Sequence, residues 1–382
     1  MSTLDSIDPL KIGERLRIAR SNAGLTQEEA AKAIEISRPT LVAVEQGQRK
    51  IRADELRRLA AVLKTSINEL LRDTAVHVDL TAKFRRLDSK LNKPAEEAIR
   101  LLNRLASASV EIEARLNRKQ HVHYPQERPI QPGNLEEQAE DIALDLRHRL
   151  GLGLSPVGDI VSLIEIELGI RIFFRPLHSS ISGVFAFDSA IGACMLINSR
   201  HPEERQVLTI LHELGHFLCT RSQPDLVSDD VESAREERFV TLFAVAFLMP
   251  AVAIRRKFQE VTISTGKFTP RYLFLIANYF RVSVESLARR LESLKLLPQG
   301  TFDSLRDRGL AIESSKVALG LSSAPLLSTP SRLMLMASEA YRGGLLSEGQ
   351  LAEMLMLDRV ELRKQLDSFQ SGQIDDAIPL AT

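Results

Sequence analysis

Two histidines four residues apart, with a glutamate directly after the first, stand at His212-Glu213-Leu214-Gly215-His216. This spacing constrains the surrounding fold. On a helix, side chains four apart share one face, so both imidazoles can converge on a single Zn2+ at about 2.0–2.1 Å. Glu213 then lies beside the fourth coordination position. A carboxylate there can take a proton from water acidified by the metal, which is the chemistry of metal-assisted amide hydrolysis. The flanking residues suit a helix: Val207, Leu211, Leu214 and Leu218 form an apolar stripe between Glu203 and Cys219, with Leu208, His212 and His216 on the neighbouring line. The plainer alternative makes these histidines ordinary surface or core residues.

A third ligand separates the classes of such sites. An HExxHxxGxxH site needs a glycine and a further histidine just beyond His216, where this chain has Cys219 and Ser222, so that class is excluded. A glutamate on a following helix remains. Glu232 to Met249 reads as that helix, with Phe239, Phe243, Ala246 and Met249 apolar at helical spacing. Glu237 shares a face with Val240, Thr241, Ala244 and Leu248. Glu236 is about 100° further round and the weaker choice. The alternative for both is a pair of solvated charges at a helix N-terminus.

These residues resemble the ImmA/IrrE family of zinc metallopeptidases. The resemblance rests on His212 to His216, preceded by Glu204-Arg205-Gln206 and Thr209, and on Glu237, Phe243-Ala244 and Leu248-Met249-Pro250, and it covers roughly residues 134 to 300. It implies that Glu237 is the third ligand, from a segment of type E-x-x-[AC]-N-x-F-A. Val240 and Thr241 stand here where that pattern prefers a small residue and Asn. It also implies limited proteolysis of a transcriptional repressor, commonly one with an Xre-type helix-turn-helix, in response to a stress or mobile-element signal.

Ile12 to Leu71 shows five short helical patterns, a length suited to a small DNA-binding unit. Thr26-Gln27-Glu28-Glu29 is a capping box that opens one helix. Ser37 is the N-cap of the next, with Leu41 and Val44 facing inward; Gly47 ends it, and Gln48-Arg49-Lys50 is a basic loop. The stretch is similar to the Xre (Cro/C1-type) helix-turn-helix family in Gly24-Leu25-Thr26-Gln27-Glu28, Ser37, Thr40 and Glu45-Gln46-Gly47. The resemblance implies that Ser37 to Gln46 is the recognition helix, with Ser37, Arg38 and Thr40 aimed at double-stranded operator DNA and Gln27, Arg49 and Lys50 on the phosphate side. Val42 and Ala43 sit where polar, base-reading side chains are frequent. Residues 1 to 72 hold thirteen Lys/Arg against ten Asp/Glu, a net of +3. That modest charge suggests a homodimer reaching useful affinity through two copies. A helical interaction module without DNA contact is the alternative.

At 382 residues and 44% apolar, the chain can bury more than one core. Zero net charge argues against nonspecific polyanion or membrane binding as its main business. Two cysteines, no secretory signal and no apolar run near 18 residues point to the cytoplasm and no membrane. Cys219 reads as packing, not as a ligand. His121 and His123 lack ligand partners at suitable spacing and read as solvent-exposed. His201 either lines the cleft or serves a turn.

The sequence therefore reads as an α+β, mostly helical protein. Residues 9–72 form a five-helix helix-turn-helix domain and 79–118 a helical connector, divided by Pro94 and possible as a dimer seam. Residues 119–133 form a Pro-rich linker, 134–300 a zincin-like metallopeptidase domain with a small sheet, and 301–382 a helical regulatory or dimerisation region. Strands are expected at Ile170–Arg175, Gly183–Phe187 and Ala193–Asn198, and helices at Leu135–Leu150 and Pro156–Leu168. Ser283 is expected to cap a helix with a helix-turn-helix look that need not mean DNA contact, and Ser347-Glu348-Gly349 to open another.

The expected function is a DNA-binding regulator carrying a zinc-dependent endopeptidase, with Mn2+ able to stand in for Zn2+. His212, His216 and Glu237 hold the metal and Glu213 handles the proton. The protein substrate is a repressor or antitoxin of Xre type, or the chain itself, cut near Gln120 to Gly133. The rival is a non-enzymatic Xre-family repressor or antitoxin whose peptidase-like domain acts as a sensor.

Overall fold

The computed structural model describes residues 8–63, 65, 67–71, 93–118, 120–188, 191–221, 231–308 and 331–370. Contacts divide the chain into two compact units. The first takes in Met1–Gln120, Asp188–Gly192 and Arg332–Thr382, and the second His121–Phe187 and Ala193–Ser331. The architecture is mostly helical with one three-stranded sheet.

The first unit opens with α1 (Pro9–Asn22), α2 (Gln27–Ala33), α3 (Arg38–Glu45), α4 (Ala53–Val62) and α5 (Ile67–Leu71). Local chemistry sets their starts. Thr26 and Glu29 cap each other around the first turn of α2, and the Ser37 hydroxyl accepts from Thr40 N to start α3. Ile12, Leu16, Ala30, Ile34, Leu41, Val44, Leu56 and Leu59 close one small core. Gly13 lets α1 cross α3 closely, because a Cβ there would stand 2.3 Å from the Val44 carbonyl oxygen. Next comes α6 (Lys93–Arg115), with Pro94 tolerated in its first turn.

Helix α6 is buried around most of its circumference: Ala98, Ile99, Leu102, Leu105, Ala108 and Ile112 are all buried. The same unit contains α15 (Ser331–Arg342), α16 (Glu348–Leu355) and α17 (Arg359–Gln370). α16 packs on α6. Arg332 pairs with Glu113 at 2.8 Å and Arg118 with Glu339 at 2.7 Å. The connector and the C-terminal helices thus form one body, and the apolar seam of α6 is covered from within the chain. Sequence periodicity marks that seam but not its occupant, which lies more than 200 residues away.

In the second unit, residues 121–133 form no helix or strand yet are tied down. His123 N donates to Leu168 O at 3.2 Å, Arg128 N to Leu218 O at 2.7 Å, and Arg235 reaches the carbonyls of Gln131 and Gly133. Asn134 caps α7 (Leu135–Arg149). The helix expected from Pro156 begins later, as α8 (Ile160–Ser162) capped by Asp159, and winds on into a π-helical segment (Leu163–Leu168) that ends at left-handed Gly169. Three strands follow: β1 (Arg171–Arg175), β2 (Gly183–Asp188) and β3 (Gly192–Asn198). Their order is β1-β3-β2, with β1 parallel to β3. Asn198 N bonds Ser182 O, and the Cys194 thiol meets Ala186 O, so β2 runs antiparallel to β3. β1 is buried throughout, whereas β2 is half-buried.

Then come α9 (Glu203–Thr220), α10 (Val231–Leu248), α11 (Ala251–Thr265), α12 (Pro270–Phe280), α13 (Val284–Ser293) and α14 (Thr301–Asp307). α10 packs along both α7 and α9. Buried Arg147 clamps α7 to the end of α10, donating to Phe247 O at 2.5 Å, to Gly153 O at 2.9 Å and to Ser155 O. α14 belongs here and not to a separate tail: Glu292 accepts from Phe302 N at 3.0 Å, and Arg289 pairs with Asp303 at 2.9 Å. Among the described residues no single helix is long and apolar enough to cross a membrane.

Candidate metal centre

Helix α9 carries both histidines because its opposite side is apolar: Ile210, Leu211, Leu214, Phe217 and Leu218 are buried. Each such side chain contributes about 1.5–3 kcal/mol by leaving water, which sets the rotation of the helix and points His212 and His216 away from the core. Gly215 governs the distance to α10. A Cβ at Gly215 would stand 2.9 Å from Val240 Cβ and 3.0 Å from Val240 Cγ1, closer than carbon atoms pack. The bulkier Val240 therefore meets a helix without a side chain at that point. One turn earlier on α10, Glu237 arrives beside the two imidazoles.

The three donor groups converge at matched distances. His212 Nε2 and His216 Nε2 are 3.3 Å apart, Glu237 Oε2 is 3.3 Å from His212 Nε2, and Glu237 Oε1 is 3.3 Å from His216 Nε2. In a tetrahedron with bonds of about 2.0 Å, the ligands lie roughly 3.3 Å apart, so two imidazoles and one carboxylate at this separation suit Zn2+. These three residues are the group among the described residues that could hold a metal ion. Hydrogen bonds from His212 and His216 hold the Glu237 carboxyl well below the usual carboxylate range. It is thus an anion ready to ligate.

Glu236 is no idle neighbour. Its Oε1 lies 2.9 Å from His216 Nδ1 and 3.0 Å from Thr220 Oγ1. With Nδ1 of His216 engaged by this carboxylate, Nε2 is the nitrogen that faces His212 and Glu237, and the ring is held in orientation. Sequence reasoning ranked Glu236 below Glu237 as a ligand and missed this role. No local period in the sequence marks it, because Glu236 meets His216 and Thr220 across two helices.

Glu213 lies beside Gly183 at the start of β2. Burial pushes its carboxyl pKa up, against the opposing influence of His216 and His212. Oε1 of Glu213 is 3.2 Å from where a Cβ on Gly183 would stand, and Thr209 Cγ2 would be 2.7 Å from the same point. The glycine at the head of β2 therefore lets the edge strand pass directly beside this carboxylate. The approach is organised by Asn198, fully buried, whose side chain accepts from Leu177 N at 3.1 Å and donates to Ile181 O at 2.8 Å and His178 O at 3.2 Å.

Other candidates are sorted by their surroundings. His201 serves a turn: its N bonds Asn198 O, and its carbonyl accepts from Gln206 Nε2 at 2.6 Å. Cys219 is buried, and burial with nearby Glu236 and Glu127 pushes its thiol up to about 12. His121 and His123 are exposed and, among the described residues, join no metal-binding group.

In the first unit, Arg38 and Lys50 are exposed and Thr40 half-buried. The Ser37 hydroxyl is engaged in the cap of α3. Gln27 donates to Glu45 at 2.8 Å, and Arg49 grips Glu55 with two bonds of 2.9 and 2.8 Å. Gln27 and Arg49, both half-buried, thus brace the helices of this unit.

Residues 166–292 match the family model described as IrrE N-terminal-like domain, of the M78 peptidases. Residues 11–72 match the model described as Helix-turn-helix domain. No curated protein matches the chain. In N-to-C order, then, the chain joins a DNA-binding helix-turn-helix domain to a peptidase-like domain of a typically metal-dependent family, as in a DNA-binding regulator.

Proposed function

We propose that the second unit is a zinc-dependent endopeptidase acting on a repressor- or antitoxin-type protein, and that the first unit directs the chain to operator DNA. The observation that carries this reading is the convergence of His212, His216 and Glu237 through contacts of 3.3 Å, with the Glu213 carboxyl, its pKa raised by burial, beside them. A bound Zn2+, or Mn2+ in its place, would supply Lewis acidity that acidifies water and polarises the scissile carbonyl. Glu213 takes the proton of the attacking water and passes it to the departing amine; its raised pKa suits both halves of that exchange. Glu236 holds His216 in place through Nδ1. An extended substrate pairs with the half-buried edge β2, whose Gly183 end brings the peptide past Glu213.

The ordered path of residues 121–133 favours a substrate other than the chain's own linker. Tyr124 meets Phe217 edge to face at 5.0 Å, and its hydroxyl accepts from Ala193 N. Phe217 lies about 100° past His216 around α9, and Arg128 N is bonded to Leu218 O. These anchors keep the linker away from the histidine face, so cleavage acts on another protein.

The test begins with metal content of the wild type beside His216→Ala and Glu237→Ala. One zinc per chain, absent from both variants, is the expected result. Glu213→Gln should keep the metal and lose cleavage of a helix-turn-helix repressor substrate. Absence of cleavage by the metal-loaded wild type would replace the enzyme by a sensor, and equal cleavage by Glu213→Gln would take Glu213 out of the catalytic step.

A further inference from the structure

The C-terminal helices repeat the N-terminal ones. Raising each residue number of the α1–α3 segment by 321 gives a counterpart in α15–α17, and the starts of α2 and α3 at Gln27 and Arg38 fall on the starts of α16 and α17 at Glu348 and Arg359. The reciprocal cap Thr26–Glu29 becomes the reciprocal cap Ser347–Gln350. In the turn, Glu35 has φ 60° and Met356 has φ 53°, an unusual left-handed conformation for residues with side chains. The next helix is capped by Ser37 in one copy and by Asp358 in the other, whose Oδ1 accepts from Val360 N and Glu361 N at 2.9 Å.

Burial follows the same register. Ala31, Ile34 and Leu41 are buried, as are Ala352, Leu355 and Leu362. In the preceding helix, the buried positions 12, 13, 15 and 16 correspond to buried 333, 334, 336 and 337. The partners Arg20 and Glu45, paired at 2.6 Å in the first copy, are replaced together, by Tyr341 and Leu366. Such joint replacement is what a shared packing scheme requires, since either change alone would bury an unpaired charge. Only the first copy is covered by the helix-turn-helix match.

The solvent stripe of the second helix carries the chemistry. In the first copy this stripe holds Arg38, Pro39, Val42, Ala43 and Gln46, with one cation. In the second it holds Arg359, Val360, Arg363, Lys364 and Asp367, all exposed, with three cations. Arg363 is tied to Glu348 at 2.8 Å, which leaves Arg359 and Lys364 directed at solvent.

We infer that α15–α17 is a second helix-turn-helix that binds double-stranded DNA through Arg359 and Lys364 on α17. This rests on the reading of the chain as a DNA-binding regulator. A second head on the same chain offsets the modest +3 charge of residues 1 to 72, because two linked weak contacts bind as one stronger contact.

The experiment titrates the full chain with a fluorescein-labelled mixed-sequence duplex across a salt series. It compares the wild type with Arg359→Ala/Lys364→Ala and with Arg38→Ala/Lys50→Ala, circular dichroism verifying the fold of each. Removing two phosphate contacts should flatten the slope of log affinity against log salt by about 1.8 and weaken low-salt binding roughly tenfold. If the C-terminal pair leaves the slope unchanged while the N-terminal pair flattens it, the second head is refuted and the regulator reading stands. A wild type that does not bind the duplex refutes both. A change in self-association from the C-terminal pair, with the slope intact, assigns α17 to protein pairing and overturns the inference.

Discussion

Replacing Gly215 by Ala tests whether helix contact, and not merely ligand identity, builds the metal centre. The added Cβ would lie 2.9 Å from Val240 Cβ, whereas carbon atoms pack at about 3.5–4.0 Å. α9 and α10 must therefore part locally by roughly 0.6–1.1 Å. Metal sites hold their ligand distances to about 0.2 Å, so a shift of this size carries Glu237 off its contacts with His212 and His216. The stability effect is smaller than the effect on the metal. Overpacking costs about 1–3 kcal/mol, and exchanging glycine for alanine inside a helix returns about 1 kcal/mol, leaving a net loss of about 0–2 kcal/mol. The assay is competitive zinc titration against a chromophoric chelator, with thermal unfolding recorded on the same samples. Gly215→Ala should stay folded and bind zinc at least tenfold more weakly. Removing the opposing Cβ in Gly215→Ala/Val240→Gly, which leaves the Cα of position 240 at 3.2 Å, should restore part of the affinity. Wild-type affinity in the single variant, or no recovery in the double, would refute the argument from helix spacing.

Glu236→Ala removes the acceptor on His216 Nδ1 and should weaken zinc binding about 10–100-fold with the fold intact, while Glu236→Gln, which keeps an acceptor oxygen, should recover part of it in the same titration. In the helix-turn-helix domain, the two hydrogen bonds from Arg49 hold Glu55 below its ordinary carboxyl pKa of 4.5. The sign follows from that depression: the stabilisation is complete above 4.5 and is lost as pH falls through the lower folded value. Acid unfolding followed by circular dichroism should therefore depend more steeply on pH in this range for the wild type than for Glu55→Gln, and equal profiles would count against the linkage. Cys219, with its thiol pushed up to about 12, should resist iodoacetamide at pH 8 in the native protein and react once denatured. At that pH the thiolate fraction is about one in ten thousand, and rapid native alkylation of Cys219 by peptide mapping would contradict its burial.

Local chemistry was legible in the sequence because it depends on near neighbours. The spacing of His212 and His216, the cap residues Thr26, Ser37 and Ser283, and the β-rich runs of β1 to β3 each express a period or a hydrogen bond within a few residues. Glu237 was reached as a candidate by helix phase and family resemblance. Tertiary structure decided what lies across space: the approach of Val240 to Gly215, the service of Glu236 to His216, and the passage of β2 beside Glu213. It also moved α14 into the unit that holds the peptidase-like domain and joined α6 to α15–α17. Burial periodicity states that a face must be covered, but the residue that covers it is chosen by packing between segments far apart in the chain, where no local period carries the information.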